Sequence, residues 1–358
     1  MGIWLGAPSR SSALPIFAHR YGVSCQTCHS IVPRLNAFGQ AFKDAGFRWP
    51  GGVTGDRTFP IAVRVNLAYS SLPDPTGLPK AIVDEVEFLS AGPIDRHLLY
   101  YAEQYSLDGG RPGKTRDAYL EYQTRPLDAW SSNVKALDVD LVAGQFTLPL
   151  PADPETMRPT ENHYAVFDQT VGANPFNFFD PRIGVNLGIG NADGWVRALL
   201  IKGHDPQSGL QTDRPDTMLV GEIGGSRLSL FGYTYEGARP LGGPPDLFQR
   251  RGLALKSIEG RSRFTALVQT GFDSNADGLG TAAFSSGGFV QEEYALTPLW
   301  IGVVRFDRAY DAIAGPMTAM TYSLSARPYL RARFTVEYVV AQEGSVTRAL
   351  NLGWLFAY

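Results

Sequence analysis

The chain is poor in the residues that most often carry bond-making chemistry. It has two cysteines, five histidines and only 19% charged residues in 358 positions. With a formal net charge of −3 and no block of Lys or Arg, it lacks a cationic surface to neutralise phosphates, which excludes nucleic acid as a partner. No apolar run reaches the roughly 18–20 residues that a membrane-crossing helix needs. That absence leaves a transmembrane β-barrel open, because each barrel strand carries a much weaker signal. Nor is there a Ser/His/Asp set, a paired-carboxylate site or a phosphate loop with workable spacing, so no catalytic residue is assigned. Glycine is abundant, at 39 residues, and so are aromatics, with 16 Tyr and 20 Phe. Many short strands punctuated by Gly and Pro produce such a composition.

The two cysteines are Cys25 and Cys28, and His29 follows directly. Two residues between thiols let both sulfurs reach the two vinyl positions on one porphyrin edge. The adjacent His then lies beneath the ring and ligates the iron. A dithiol redox pair is the competing reading, but it sits in a thioredoxin-like βαβ context that is missing here. A zinc site needs four ligands, and there is no second Cys pair. A chance match to so short a pattern is the bland alternative. The expected cofactor is one covalent heme c on Cys25, Cys28 and His29. Downstream, Pro33 to Ala45 reads as one short helix, with Leu35, Phe38 and Phe42 on one face and Gly46 at C′. This segment, residues 14–52, has little core of its own and must lean on the rest of the chain. Residues 1–13 read as a signal-peptide remnant or a disordered tail: Ser11-Ser12-Ala13 resembles a cleavage site, but a basic start is missing.

From Phe59 onward the period becomes two. Ile61, Val63, Val65, Leu67 and Tyr69 alternate with Ala62, Arg64, Asn66 and Ala68. The pattern returns at Leu137–Leu141, at Trp300–Asp307 and at Leu330–Tyr338, with Asp138, Asp140, Arg331, Arg333 and Glu337 on the polar face. About sixteen such segments of roughly ten residues fit the even strand number of a bacterial outer-membrane barrel. Short links such as Gly92–Asp95, Asn191–Gly194, Gly224–Arg227 and Glu259–Arg261 alternate with long ones at Leu148–Arg182, Gly203–Asp216 and Asp273–Gly288. The chain ends with Trp354, Phe356 and Tyr358 at alternate positions, as outer-membrane strands do. The expected fold is therefore all-β: an antiparallel barrel of about sixteen strands over residues 59–358, spanning the lipid bilayer. A short α-helical heme segment enters from the periplasmic side and plugs the lumen. A soluble β-sandwich is the competing fold, though it has no use for an aromatic outer stripe on its last strand. The loop Leu148–Arg182 is long enough to fold inward and cover the heme.

Leu14-Pro15-Ile16-Phe17-Ala18, then Cys25-Gln26-Thr27-Cys28-His29, then Pro33, Leu35, Gly39, Phe42 and Gly46 resemble the fused monoheme cytochrome–porins of iron-oxidising bacteria. The specific match covers about the first fifty residues. The resemblance implies an electron conduit through the outer membrane, with an extracellular donor or acceptor, Fe(II) among them, and a periplasmic c-type cytochrome or other small redox carrier. An iron oxidase working by outer-sphere transfer would need no bond-making site. The alternative is a porin-like transport barrel whose heme is a sensor or a structural plug.

The sixth iron ligand is open among His97, His163, Met157 and a vacant or water-bound position. His19, six residues before Cys25, is close for a ligand on the opposite face. His97 starts a strand near a short turn, and its alternate Glu103 puts that face toward the lumen. His163 lies in the long loop and reaches the heme if that loop folds inward. A hydrogen-bonding or solvated role is the plain reading of each. Histidine on both faces gives a low-potential heme, whereas methionine raises the potential.

Overall fold

The computed structural model describes residues 17, 20–31, 34–50, 61–72, 77–126, 137–152, 158–191, 193–203, 214–225, 227–241, 243–326 and 332–357. His19, Met157, His204, Arg331 and Tyr358 lie outside them. The described chain opens with helix α1 (Cys25–Cys28), the paired strands β1 (His29–Ile31) and β2 (Arg34–Leu35), and helix α2 (Ala37–Asp44). It continues with β3 (Ile61–Ser70), β4 (Ala81–Pro93), β5 (Leu98–Asp108), the two-residue β6 (Arg111–Pro112), β7 (Thr115–Gln123) and β8 (Asp138–Phe146). After the short helix α3 (Ala165–Asp168) come β9 (Arg182–Asn191), β10 (Gly194–Ile201), β11 (Asp216–Gly224), β12 (Leu228–Arg239) and β13 (Asp246–Glu259). The last six strands are β14 (Ser262–Asp273), β15 (Ala283–Ala295), β16 (Trp300–Asp311), β17 (Gly315–Ala326), β18 (Ala332–Glu343) and β19 (Ser345–Ala357).

With β6 a mere extension of the β5 hairpin, sixteen antiparallel strands form one closed meander. It closes where β19 pairs with β3, Leu355 opposite Asn66. Closure leaves no open sheet edge, so strand N–H and C=O groups have neighbours over most of their length, as a hydrocarbon environment requires. Alternation sorts the side chains. On β16, Trp300, Val304 and Phe306 point outward and are 41–46% exposed, while Arg305 and Asp307 face the lumen at 0%. Leu187, Leu219, Leu253 and Val268 continue the outer apolar belt. No helix among the described residues is long and apolar enough to cross a membrane.

The barrel's N- and C-terminal strands share one end. The tight links at 192–193, 225–227 and 260–261 lie there, and 147–181, 202–215, 240–245 and 274–282 lie at the other. The alternation is less regular than the sequence suggests. Two hairpins at the long-loop end turn tightly at 312–314 and at Gly344, where Gly315 and Gly344 adopt φ of +93° and +69°. The expected Asp273–Gly288 loop is also shorter, because β15 begins at Ala283.

The N-terminal helix starts at Ala37 rather than Pro33. Asn36 caps it, its side chain accepting from Gly39 N–H at 2.9 Å, and Arg34–Leu35 instead pair back onto His29–Ile31. At its other end Gly46 and Phe47 both take φ of +61°. For Phe47 that conformation is unfavourable, and it is held by a Phe47 N–H bond to the Phe42 carbonyl at 2.9 Å and by stacking on Phe17 at 5.0 Å.

Candidate cofactor site

The turn Cys25–Cys28 is pinned by its neighbours. Asn36 donates to the carbonyls of Gln26 and Thr27, both at 3.1 Å. Gly39 packs so closely that a Cβ there would collide with the Cys28 carbonyl oxygen. Only glycine permits this approach of α2 to the cysteine turn. Cys25 and Cys28 are buried with Phe17, Phe42 and Phe47. Burial pushes the Cys28 thiol up to about 11, with Cys25 adding to the shift.

The same cluster includes Ala91 of β4 and Leu355 of β19, with Tyr101 of β5 against it. Ile31 packs on Ile301 and Val303, Arg34 pairs with Glu293, and Arg48 donates to the Asp95 carbonyl at 2.5 Å. All of these partners lie near the barrel end that carries the termini, and Leu355, Tyr101 and Glu293 face inward. The segment is thus docked on the inner wall at that end.

Cys25 and His29 open onto a cavity of about 500 Å³. Leu35, Leu89, Val142 and Phe146 give it apolar walls; Lys43, Arg64 and Arg197 add cations, and Tyr101 and Tyr119 phenols. Leu148, Pro149 and Leu150 of the long loop close one side. That volume is in the usual range for a cofactor site. Apolar walls suit a porphyrin face and Lys43 suits a propionate; Asp44, Glu103, Asp117 and Glu121 line the cavity as well, and Arg64 and Arg197 are already paired with Glu87 and Asp140. Sequence reasoning missed Lys43, Tyr101 and Tyr119: alternation places a residue on the inner face but does not say which inner residues share a cavity.

Neither expected histidine lines that cavity. His97 has Nδ1 2.9 Å from the Gln123 carbonyl and its ring against Tyr122. His163 sits in the long loop, its ring stacked on Phe179 at 4.6 Å and its Nδ1 2.8 Å from Asp168. Its side chain is 41% exposed, on a loop held inside the barrel by Arg305 and Glu337. Burial first, then Arg158, hold it below its ordinary value, against the pull of Asp168.

The long loop enters the lumen and is anchored there. Arg305 donates to the carbonyls of Asn162 and His163 at 2.9 and 2.6 Å. Glu337 accepts from the N–H groups of Glu161 and Asn162. Asn174 donates to both Asp246 and Asp273. Between these anchors Phe167, Phe176 and Phe178 pack on inward Phe231, Tyr233, Tyr235, Phe248 and Phe289. The expectation of a uniformly polar lumen therefore fails over β11–β15, where apolar side chains occupy the inner face as well as the outer one. Elsewhere it holds: Asp138 pairs with Arg125, Asp140 with Arg197 and Arg333 with Glu161.

Fold and lumen together define a porin-like β-barrel. No protein-family profile matches the chain, and no curated protein matches it in sequence. Among solved structures it is similar to the anion-selective porin of Comamonas acidovorans: TM-score 0.63, 10% identity, covering 83% of this chain and 98% of that one. Salmonella typhi OmpF, solved with daunomycin, has a TM-score of 0.58 at 10% identity, covering 83% and 96%. OmpT of Vibrio cholerae has 0.55 at 9% identity, again covering 83% and 96%. At such identities the likeness establishes the barrel fold.

Proposed function

We propose that the chain is a barrel of the bacterial outer membrane that carries one covalent heme c in its lumen and passes electrons. One partner is an extracellular donor or acceptor, such as Fe(II), and the other is a periplasmic c-type cytochrome or small redox carrier. The observation that carries this reading is the opening of Cys25 and His29 onto a lumen cavity whose walls suit a porphyrin. The apolar outer belt and the porin-like fold support the location. When bound, the heme supplies one reversible one-electron couple. Cys25 and Cys28 would hold it through thioethers, His29 would ligate the iron, and Lys43 would meet an acidic group.

The residues around it exclude water on one side, since the aromatic core over β11–β15 fills space that a sixteen-stranded barrel normally leaves as an aqueous channel. His163 is one candidate for the sixth ligand: with Nδ1 committed to Asp168, Nε2 would ligate. His97, at the barrel rim, is the second.

A transport barrel with the heme as sensor or plug is the other reading. The likeness to porins, one of them described as anion-selective, favours it. Purified protein in proteoliposomes separates the two. Stopped-flow addition of Fe(II) outside should reduce the heme under the first reading. A heme that stays oxidised while small solutes swell the vesicles would leave the transport reading standing.

A further inference from the structure

On the outer wall three arginines have no acid to meet. Arg251 of β13, Arg308 of β16 and Arg348 of β19 are exposed and alternate in step with the outward side chains of their strands. Inward Arg250, Arg305 and Arg333 pair with Asp273, Asp307 and Glu161, whereas none of the outward three has an ion-pair partner among the described residues. Arg308 lies three residues in from Asp311 at the long-loop end of its strand, Arg348 three in from Ser345 and Arg251 five in from Asp246. Each stands directly above exposed apolar side chains: Leu253 and Leu255 under Arg251, Phe306 and Val304 under Arg308, Leu350 and Trp354 under Arg348. Three strand spacings separate Arg251 from Arg308, and three more separate Arg308 from Arg348, about 14 Å sideways each time. On the described barrel strands the outward carboxylates are Glu236, Glu259 and Glu292. Glu236 accepts from Gln249 at 2.6 Å, and the other two lie toward the end that carries the termini. A second copy of the chain therefore offers this row of cations no matching acidic row.

We infer that Arg251, Arg308 and Arg348 bind the phosphate headgroups of lipids in the leaflet at the long-loop end, with the acyl chains lying on the apolar belt beneath. Cationic side chains on a lipid-facing wall cost least near the interface, and a long arginine stem lets its head rise to the headgroups. The planar guanidinium matches phosphate with two parallel hydrogen bonds. Outward Thr270 and Ser286, in register with Arg251 on the way to β16, add hydroxyl donors. The inference rests on the membrane location proposed above and is independent of the heme.

Native mass spectrometry of the detergent-solubilised barrel, titrated with phosphatidate or with diacylglycerol of the same chains, counts the lipids retained. Phosphatidate should bind about tenfold more tightly than diacylglycerol, a ratio that one charge-assisted contact supports. The triple variant Arg251→Gln/Arg308→Gln/Arg348→Gln should hold both lipids alike. Arg261→Gln, in an exposed turn at the opposite end, is the control and should keep the preference. Heat-modifiable gel mobility verifies that each variant is a folded barrel. A preference that survives in the triple variant overturns the site, as does one lost equally in the control. Inorganic phosphate that displaces phosphatidate at matched concentration would overturn the lipid as occupant. Copies that associate without lipid in the parent and separate in the triple variant would assign the row to a second copy instead. A chain that stays soluble without detergent loses the membrane location, and the lipid site with it.

Discussion

Phe176→Ala probes whether the long loop is a built part of the lumen. The Phe176 ring lies 4.5 Å from Tyr235 and 4.6 Å from Phe248, and the guanidinium groups of Arg182, Arg239 and Arg250 lie 4.9, 5.6 and 5.9 Å from its centroid. Truncating a buried Phe costs about 3–5 kcal/mol. Each cation–π contact contributes a further ~0.5–1 kcal/mol, though these overlap with the packing term and do not add fully. About 4 kcal/mol multiplies the undocked population by roughly 10³. The strand ladders are untouched, so the barrel itself stays folded. Chymotryptic cleavage after Tyr164 or Phe167 tracks the open population when opening is fast relative to cleavage, and should accelerate about 10²- to 10³-fold. Planar-bilayer conductance should rise with it. Phe284→Ala, an outward and exposed position, is the control and should change neither. A loop that remains as protease-resistant as the parent, at unchanged conductance, would refute the claim that the aromatic core seats it.

Cys25→Ala or Cys28→Ala should each weaken covalent heme retention on denaturing gels and the double variant abolish it, while the heat-modifiable barrel band persists; heme stain in the double variant defeats the attachment site. Gly39→Val forces its side chain into the Cys28 carbonyl, at a cost of about 1–3 kcal/mol. Heme content per barrel should fall, and an unaltered ratio would show that α2 does not hold the cysteine turn. His163 is held below its ordinary 6.5, so the docked loop has bound fewer protons than the free one. Stability from this group is therefore present above pH 6.5 and is lost as the pH falls through the depressed value. Proteolysis of the loop with an acid-tolerant protease should be faster at pH 5 than at pH 7.5, and His163→Phe should reduce that difference.

Much of the architecture is decided by local rules. The spacing of Cys25, Cys28 and His29, on which the heme proposal rests, is legible without any tertiary information. Alternation of Trp300, Val304 and Phe306 with Arg305 and Asp307 follows from backbone pleat, which sends successive side chains to opposite faces, so strand number and closure could be read from it. The Asn36 cap is a local signal too: a favoured N-cap residue stands just before Ala37 and places the helix start there. Alternation fixes which residues share a face; it does not fix what covers that face. Phe231, Tyr233 and Tyr235 alternate as any strand does, yet they meet Phe176 and Phe178 from a loop more than fifty residues away in sequence. Likewise Glu87 and Glu103 come near each other only because β4 and β5 pair in a register that sets Glu103 opposite Leu89, two residues along from Glu87. Sequence alone determined the barrel and supplied the Cys25, Cys28 and His29 pattern on which the heme proposal rests. Long-range strand register and the inward fold of one loop decided which lumen residues face the motif, because those contacts depend on the closed sheet and not on any neighbour along the chain.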